Sequence, residues 1–285
     1  MHALWMLIAS LAFAGMGACI KLSAAAHSTA EIVFFRSFVG WVWLQAFVAW
    51  RQLDLRTPHL RPHAWRAAIG LVAMATYFSA VAMLPLATAI TLQYTAPLFM
   101  ALVLRIWFKE PISRRAAVLM GLGFAGIVLL LHPTLERDEW LGASLGLAAG
   151  VLAAFALLNV RRLGQLGEPE WRTVYYFSGY GSLVGLAWTL AAGGFHPPDT
   201  RGIALLVGVG TFGTVGQMAM TTAFRRGRTL LAANLSYTTV VFGSLLGAGL
   251  WGEALPRSSW AGVALIVGGG MAMTALSRNA PADPD

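Results

Sequence analysis

Charge is scarce in this chain. Asp, Glu, Lys and Arg make up only 11% of its 285 residues, against 58% hydrophobic, whereas a soluble domain carries about 25% charged residues. An ordinary soluble fold is thereby excluded. The single cysteine, Cys19, excludes an internal disulfide and a thiolate metal cluster.

Titratable groups are also missing from the interiors of the apolar runs. Glu31, Asp54, Glu110, Glu136, Asp138, Glu139, Glu168, Glu170, Asp199, Glu253, Asp283 and Asp285 all fall at the ends of such runs or between them. So do His2, His27, His59, His63, His132 and His196. Proton-driven carriers place a carboxylate or imidazole near the bilayer centre, so this pattern implies downhill facilitation or exchange. No glycine-rich loop ends in Lys-Ser or Lys-Thr, which excludes ATP as the motor. A membrane enzyme needs clustered acid–base or metal-binding groups. The dispersed Glu136–Glu139 tract with His132 and His196 is the nearest approach to one, and no cofactor or metal is expected.

What the chain has instead is apolar length. Stretches of about 20 residues suffice to cross a bilayer as helices, and ten are present: about 3–22, 31–50, 64–83, 87–107, 115–132, 140–160, 173–193, 201–224, 230–250 and 259–277. The first lacks a basic n-region and is followed by equally apolar runs, so it reads as a span rather than a leader. The expected fold is an all-α integral membrane protein of ten transmembrane helices, a single transmembrane domain over 1–285. The net charge of +8 reflects topology and anionic lipid, not a nucleic-acid partner. With loops assigned alternately to two sides, only Lys21, Arg36, Arg137, Arg201 and Arg257 of the twenty basic residues fall opposite the N-terminal side. Cytoplasmic loops collect Lys and Arg, so both termini are expected in the cytoplasm. Trp5, Trp50, Trp65, Trp107, Trp140, Trp171, Trp251 and Trp260 sit at span ends, as an interfacial belt does.

The halves repeat. Leu92-Gln93-Tyr94-Thr95 matches Leu235-Ser236-Tyr237-Thr238, and each tyrosine precedes a glutamate, Glu110 or Glu253, by sixteen residues; both pairs are offset by 143. Five spans per half is odd, so the second half enters the membrane inverted. The basic residues around Glu110 (Arg105, Lys109, Arg114, Arg115) and their scarcity around Glu253 agree with that. The expected organisation is a first five-helix repeat over 1–139, an inverted second over 140–277, and a cytoplasmic tail over 278–285. Such duplication marks a secondary transporter whose halves rock around a central site.

The run from Tyr77 to Pro85, Ala87 to Pro97 and Trp107-Phe108-Lys109-Glu110, with its second copy Ala223 to Thr239 and Leu250-Trp251-Gly252-Glu253, resembles the drug/metabolite transporter superfamily, specifically its EamA-type ten-helix members. Phe35-Arg36 is similar to that family's habit in the second span. The resemblance implies a carrier of small metabolites in a bacterial inner membrane, monomeric or homodimeric. It places the third, fourth, eighth and ninth spans on the central pathway, the first and sixth nearby, and the fifth and tenth at the periphery. The second copy has Val240 where Pro97 stands, so a proline kink is expected only in the fourth span.

Polar residues within the pathway spans are the substrate-binding candidates: Tyr77, Thr91, Gln93, Tyr94, Thr95, Gln217, Thr221, Asn234, Tyr237 and Thr238. Thr88, Thr91 and Thr95 share one helix face, as do Thr214, Gln217 and Thr221. Such hydroxyls either face a wet chamber or bond neighbouring carbonyls. Tyr94 and Tyr237 are expected near the midplane from opposite sides, as paired gating or stacking residues. Lys21, Arg36, Pro97, Glu110 and Glu253 are structural or gating candidates. Glu110 and Glu253 are expected to cap the helices that follow them, and Arg36 to snorkel outward or pair with Glu31. Glycines spaced by four (Gly142/Gly146/Gly150, Gly181/Gly185, Gly243/Gly247) mark close helix packing, and Gly123/Gly126 with Gly268–Gly270 permit contact between protomers. The lining of Tyr, Gln, Asn, Thr and Met suits an amphipathic solute: an amino acid, by analogy with aromatic amino acid exporters of the superfamily, or else a cationic drug or a nucleobase.

Overall fold

The computed structural model describes residues 2–84, 86–131, 139–197, 199–226, 229–252 and 257–279. These are helical, with no strand among the described residues. The order is α1 (His2–Ser23), α2 (Thr29–Arg51), α3 (Leu60–Met83), α4 (Leu86–Gln93), α5 (Ala96–Ile106), α6 (Arg114–Leu131), α7 (Trp140–Gln165), α8 (Glu170–Ala191), α9 (Thr200–Arg226), α10 (Thr229–Leu235), α11 (Thr238–Trp251) and α12 (Arg257–Asn279). Among the described residues, eight stretches, including the continuous runs Thr88–Ile106 and Thr229–Trp251, are long and apolar enough to cross a membrane. α8 is more polar than these, carrying Tyr175, Tyr176, Tyr180 and several serines and threonines.

The surface is that of a protein solvated by hydrocarbon. Leu11, Val72, Leu102, Val118 and Leu183, all within helices, are each more than half exposed, an arrangement water would penalise. The interior is filled by small residues and threonine, as expected where helices associate by close packing.

Four pairings organise the bundle: α1 on α9, α3 on α7, α2 on α8 and α6 on α12. α2 and α8 run antiparallel, since Phe34 meets Gly185, Ser37 meets Gly181 and Ser178 approaches Gly40. Each end of that pair is latched by a buried glutamate. At one end Glu31, in a capping box with Ser28, accepts the His196 N–H at 2.6 Å and faces His196 Nδ1 at 2.8 Å. At the other end Glu168 accepts from Thr57, lies 3.3 Å from His63 Nε2 and 3.1 Å from Arg172 Nη1. Arg172 reaches on to the Asp54 carbonyl at 2.8 Å.

α6 and α12 meet through glycine. A Cβ on Gly126 would lie 2.8 Å from the Gly262 carbonyl, and Gly123 is covered by the Tyr237 ring. Gly123 and Gly126 therefore pack within the chain and are not free for contact between protomers. Glu110 does not cap α6 either. That position belongs to Ser113, whose Oγ accepts the Ala116 N–H at 3.1 Å, while Glu110 pairs with Arg161 of α7 at 2.7 Å. Glu253 lies outside the described residues.

Both central spans are interrupted, not just the one with proline. α4 gives way to α5 at Tyr94-Thr95, and α10 to α11 at Ser236-Tyr237. Three-residue backbone bonds tighten each break: Thr95 N–H to Leu92 O (3.1 Å), and Tyr237 N–H to Asn234 O (3.2 Å). The shared cause is a threonine hydroxyl. Thr95 Oγ1 donates to Leu92 O at 2.5 Å, and its repeat mate Thr238 donates to Leu235 O at 2.7 Å. Such bonds draw a carbonyl away from the helical ladder and bend the helix. Pro97 merely occupies the first turn of α5, where its missing N–H leaves no bond unmade.

The first break rests on α7. A Cβ on Gly150 would sit 2.4 Å from Thr95 Oγ1 and 2.8 Å from Leu92 O. Replacing Gly150 by Ala should therefore destabilise the protein by about 1–3 kcal/mol, read as a lower melting temperature in detergent; an unchanged value would mean α7 does not brace the break. For Glu168, hydrogen bonds from Thr57, Arg172 and His63 outweigh burial and hold the carboxyl below the usual range. A depressed carboxylate stabilises the fold above its unfolded pKa of about 4.3 and ceases to as pH falls through the depressed value. Wild type should thus lose stability below about pH 4.3 more steeply than Glu168→Gln. That variant should be less stable at pH 7 by about 1–3 kcal/mol, in thermal melts across pH.

Candidate substrate pathway

The twin interruptions bring the repeat tyrosines together. Tyr94 and Tyr237 have ring centres 6.4 Å apart, tilted by 60°. Tyr237 is fully buried, between Gly123 of α6 and a cluster of Ile127, Leu130, Val240, Val241 and Ile266. Its hydroxyl has no partner, whereas the Tyr94 hydroxyl is hydrogen-bonded to Thr239 of α11. Asn234 ties α10 to α6 by donating to Leu119 O at 3.1 Å, leaving its own oxygen unsatisfied. A tyrosine from each half and an asparagine thus meet at the point where both helices are broken.

The other expected residues spread around this point. Tyr77 is half-buried on α3 against Ala80, Leu84, Ala89 and Leu145. Thr91 is buried, and Gln93 has its buried Oε1 unpartnered. Thr95 and Thr238 turn their hydroxyls to their own backbone, so their hydrogens are not offered to a solute. Thr221 is buried with an unpartnered hydroxyl. Lys21 stacks 4.3 Å from the Trp251 ring, joining the ends of α1 and α11.

Gln217 belongs to a second group. With Arg36, Phe177, Ser178, Gly213 and Thr214 it lines a void of about 10 Å³, room for about one water. Arg36 neither snorkels nor pairs with Glu31, whose oxygens are taken by Ser28 and His196. Its guanidinium carbon lies 5.7 Å from the centre of the Phe177 ring, and that of Arg66 lies 4.3 Å from the same ring. Arg66 is 4% exposed. Sequence reasoning placed Arg66 among the cytoplasmic surface charges and passed over Phe177 and Ser178. The signal available was the small residue Gly70, one turn on, over which the arm lies: a Cβ there would stand 2.3 Å from Arg66 Nη1.

Comparison with known proteins was made with this geometry in hand. The family model described as "EamA-like transporter family" matches twice, over residues 1–132 and 140–275. The chain is 30% identical to the pseudopaline exporter CntI of Pseudomonas aeruginosa strain UCBPP-PA14 over 95% of this chain and 94% of that one. It is 29% identical to an uncharacterized transporter of Helicobacter pylori strain J99, covering 93% and 91%. To a riboflavin transporter of Vibrio cholerae it is 25% identical, over 93% and 90%. A solved structure 22% identical in sequence superposes with a TM-score of 0.85 over 98% of this chain and 99% of that one, a likeness of fold alone. The chain is thus a multi-pass membrane transporter and belongs to the EamA-like transporter family.

Proposed function

We propose that the protein is a secondary carrier whose two halves, 1–139 and 140–277, are five-helix repeats inverted in the bilayer. They rock about a central chamber and export a small amphipathic metabolite, best matched by an amino acid, without ATP. The observation that carries this reading is the pair of helix breaks. They are related by the 143-residue offset, and each presents a tyrosine to the other half. Discontinuous helices at a repeat interface are where such carriers bind their solutes. The pairings support the same two-fold: α1 on α9 is answered by α3 on α7, and α2·α8 and α6·α12 pair elements with their own mates.

In this reading ten spans place both termini in the cytoplasm, in a bacterial inner membrane. The tight packing around Tyr94, Tyr237 and the 10 Å³ void is the occluded state of the cycle. The functions named for the relatives, export of pseudopaline and transport of riboflavin, support a polar organic solute. No carboxylate or histidine stands beside the tyrosines among the described residues, which supports facilitation or exchange over proton coupling.

Tyr94→Ala and Tyr237→Ala should each lower counterflow of amino acids in proteoliposomes, roughly two- to tenfold, with membrane insertion unchanged; wild-type flux in both would remove the tyrosine pair from the pathway. Uptake should also persist when an imposed pH gradient is collapsed, and strict dependence on the gradient would overturn the facilitation reading.

A further inference from the structure

Two guanidinium groups in the middle of the bundle lack a counter-charge. Among the described residues, the acidic groups close to α2, α3 and α8 are engaged elsewhere. Glu31 is held by His196 and Ser28. Glu168 is held by Thr57, His63 and Arg172, and Glu170 by Arg225 at 2.9 Å. Glu110 pairs with Arg161. Among the described residues no acidic group pairs with Arg36 or Arg66. Arg66, almost wholly buried, leaves Nε and Nη1 without any acceptor.

The Arg66 head lies over Gly70, its Nη1 2.3 Å from where a Cβ would stand, and the Arg36 stem passes Gly213 at van der Waals distance, its Cγ 3.4 Å from a Cβ there. Both arms end on one phenyl ring, Phe177. A ring face attracts cations but accepts no fork of hydrogen bonds, so it steadies the two heads without satisfying them. Bringing two like charges onto one ring in a poorly hydrated interior is unfavourable unless an anion completes the set.

We propose that Arg36 and Arg66 form the binding site for a carboxylate, and that the transported solute is a small organic acid carrying net negative charge when bound. This deepens the carrier reading and rests on it. A planar carboxylate matches the guanidinium fork in two parallel hydrogen bonds. The neutral residues around the void fit the same ligand. Ser178 and the Gln217 amide have donors to offer, while Thr214, whose hydrogen is committed to Gly210 O at 2.7 Å, can only accept. No described carboxylate stands at the site to balance an ammonium, and two guanidinium groups would repel one, which disfavours a cationic drug. The 10 Å³ void is too small for the solute, so the site fills only when α2 and α8 part.

The test uses the full-length protein in detergent at fixed ionic strength, with thermal stabilisation as the readout. Succinate, glutamate and benzoate are compared with dimethyl succinate, inorganic phosphate and tetraphenylphosphonium. At least one carboxylate should raise the melting temperature saturably while dimethyl succinate does not. Arg36→Gln should raise the half-saturating concentration at least about tenfold, with Arg36→Lys intermediate because charge is kept and the fork lost. Should Arg66→Gln fail to fold, Ser178→Ala serves beside it, with a smaller loss expected. Equal stabilisation by the ester, by phosphate alone or by the cation would overturn the carboxylate site. So would unchanged affinity in Arg36→Gln. Wild-type proteoliposomes that transport only neutral or cationic solutes would also refute it while leaving the carrier reading intact; no flux of any solute would count against the carrier itself.

Discussion

Hydrocarbon offers no hydrogen bonds, so every backbone N–H and C=O in a spanning segment must be satisfied from within the protein. A continuous helix meets that demand by itself; a broken one does not. The two breaks in this fold are tolerable only because each brings its own substitutes. A threonine hydroxyl takes the carbonyl three residues back, the backbone tightens locally, and around the first break α7 presents glycine so that the exposed carbonyls of Leu92 and Gln93 lie against it. The packing of α4, α5 and α7, and the meeting of Tyr94 with Tyr237, follow from how that demand is met.

The same economy governs charge. At the ends of α2 and α8, glutamates are enclosed with full sets of donors, and each latches its helix to the loop beyond its partner. Between those ends the only described ionic groups turned inward are cationic, Arg36 and Arg66, set on one aromatic ring. The bundle thus separates structural charge, paired and peripheral, from inward charge, unpaired and set on one ring, with Arg36 at the edge of a void.

Much of this was legible in the amino acids. The 143-residue offset pointed to a chain that the family model matches twice and singled out the two tyrosines that meet. The apolar runs located the helices, although α8 carries enough tyrosine and hydroxyl to be less apolar than the rest. What misled was reading single residues by type. Proline at 97 drew attention as the cause of a kink, when the threonine beside it, present in both copies, is the common determinant. Arg66 looked like one more cytoplasmic charge, since loop counting cannot see a side chain that folds back along its helix over Gly70. Glu110 looked like a cap, when Ser113 stood three residues further on in the better position. Gly123 and Gly126 looked free for a second copy, because spacing alone does not tell which neighbour fills the groove.

α2 and α8 approach closely nearer the Glu31 end, where Gly181 and Gly185 admit Ser37 and Phe34. In a rocking carrier that point behaves as the pivot of a beam. Parting the helices at the Glu31 end presses them together at the Glu168 end, and the reverse holds equally. In such a cycle a continuous file of water from one face to the other would not form, and the membrane would stay sealed to ions.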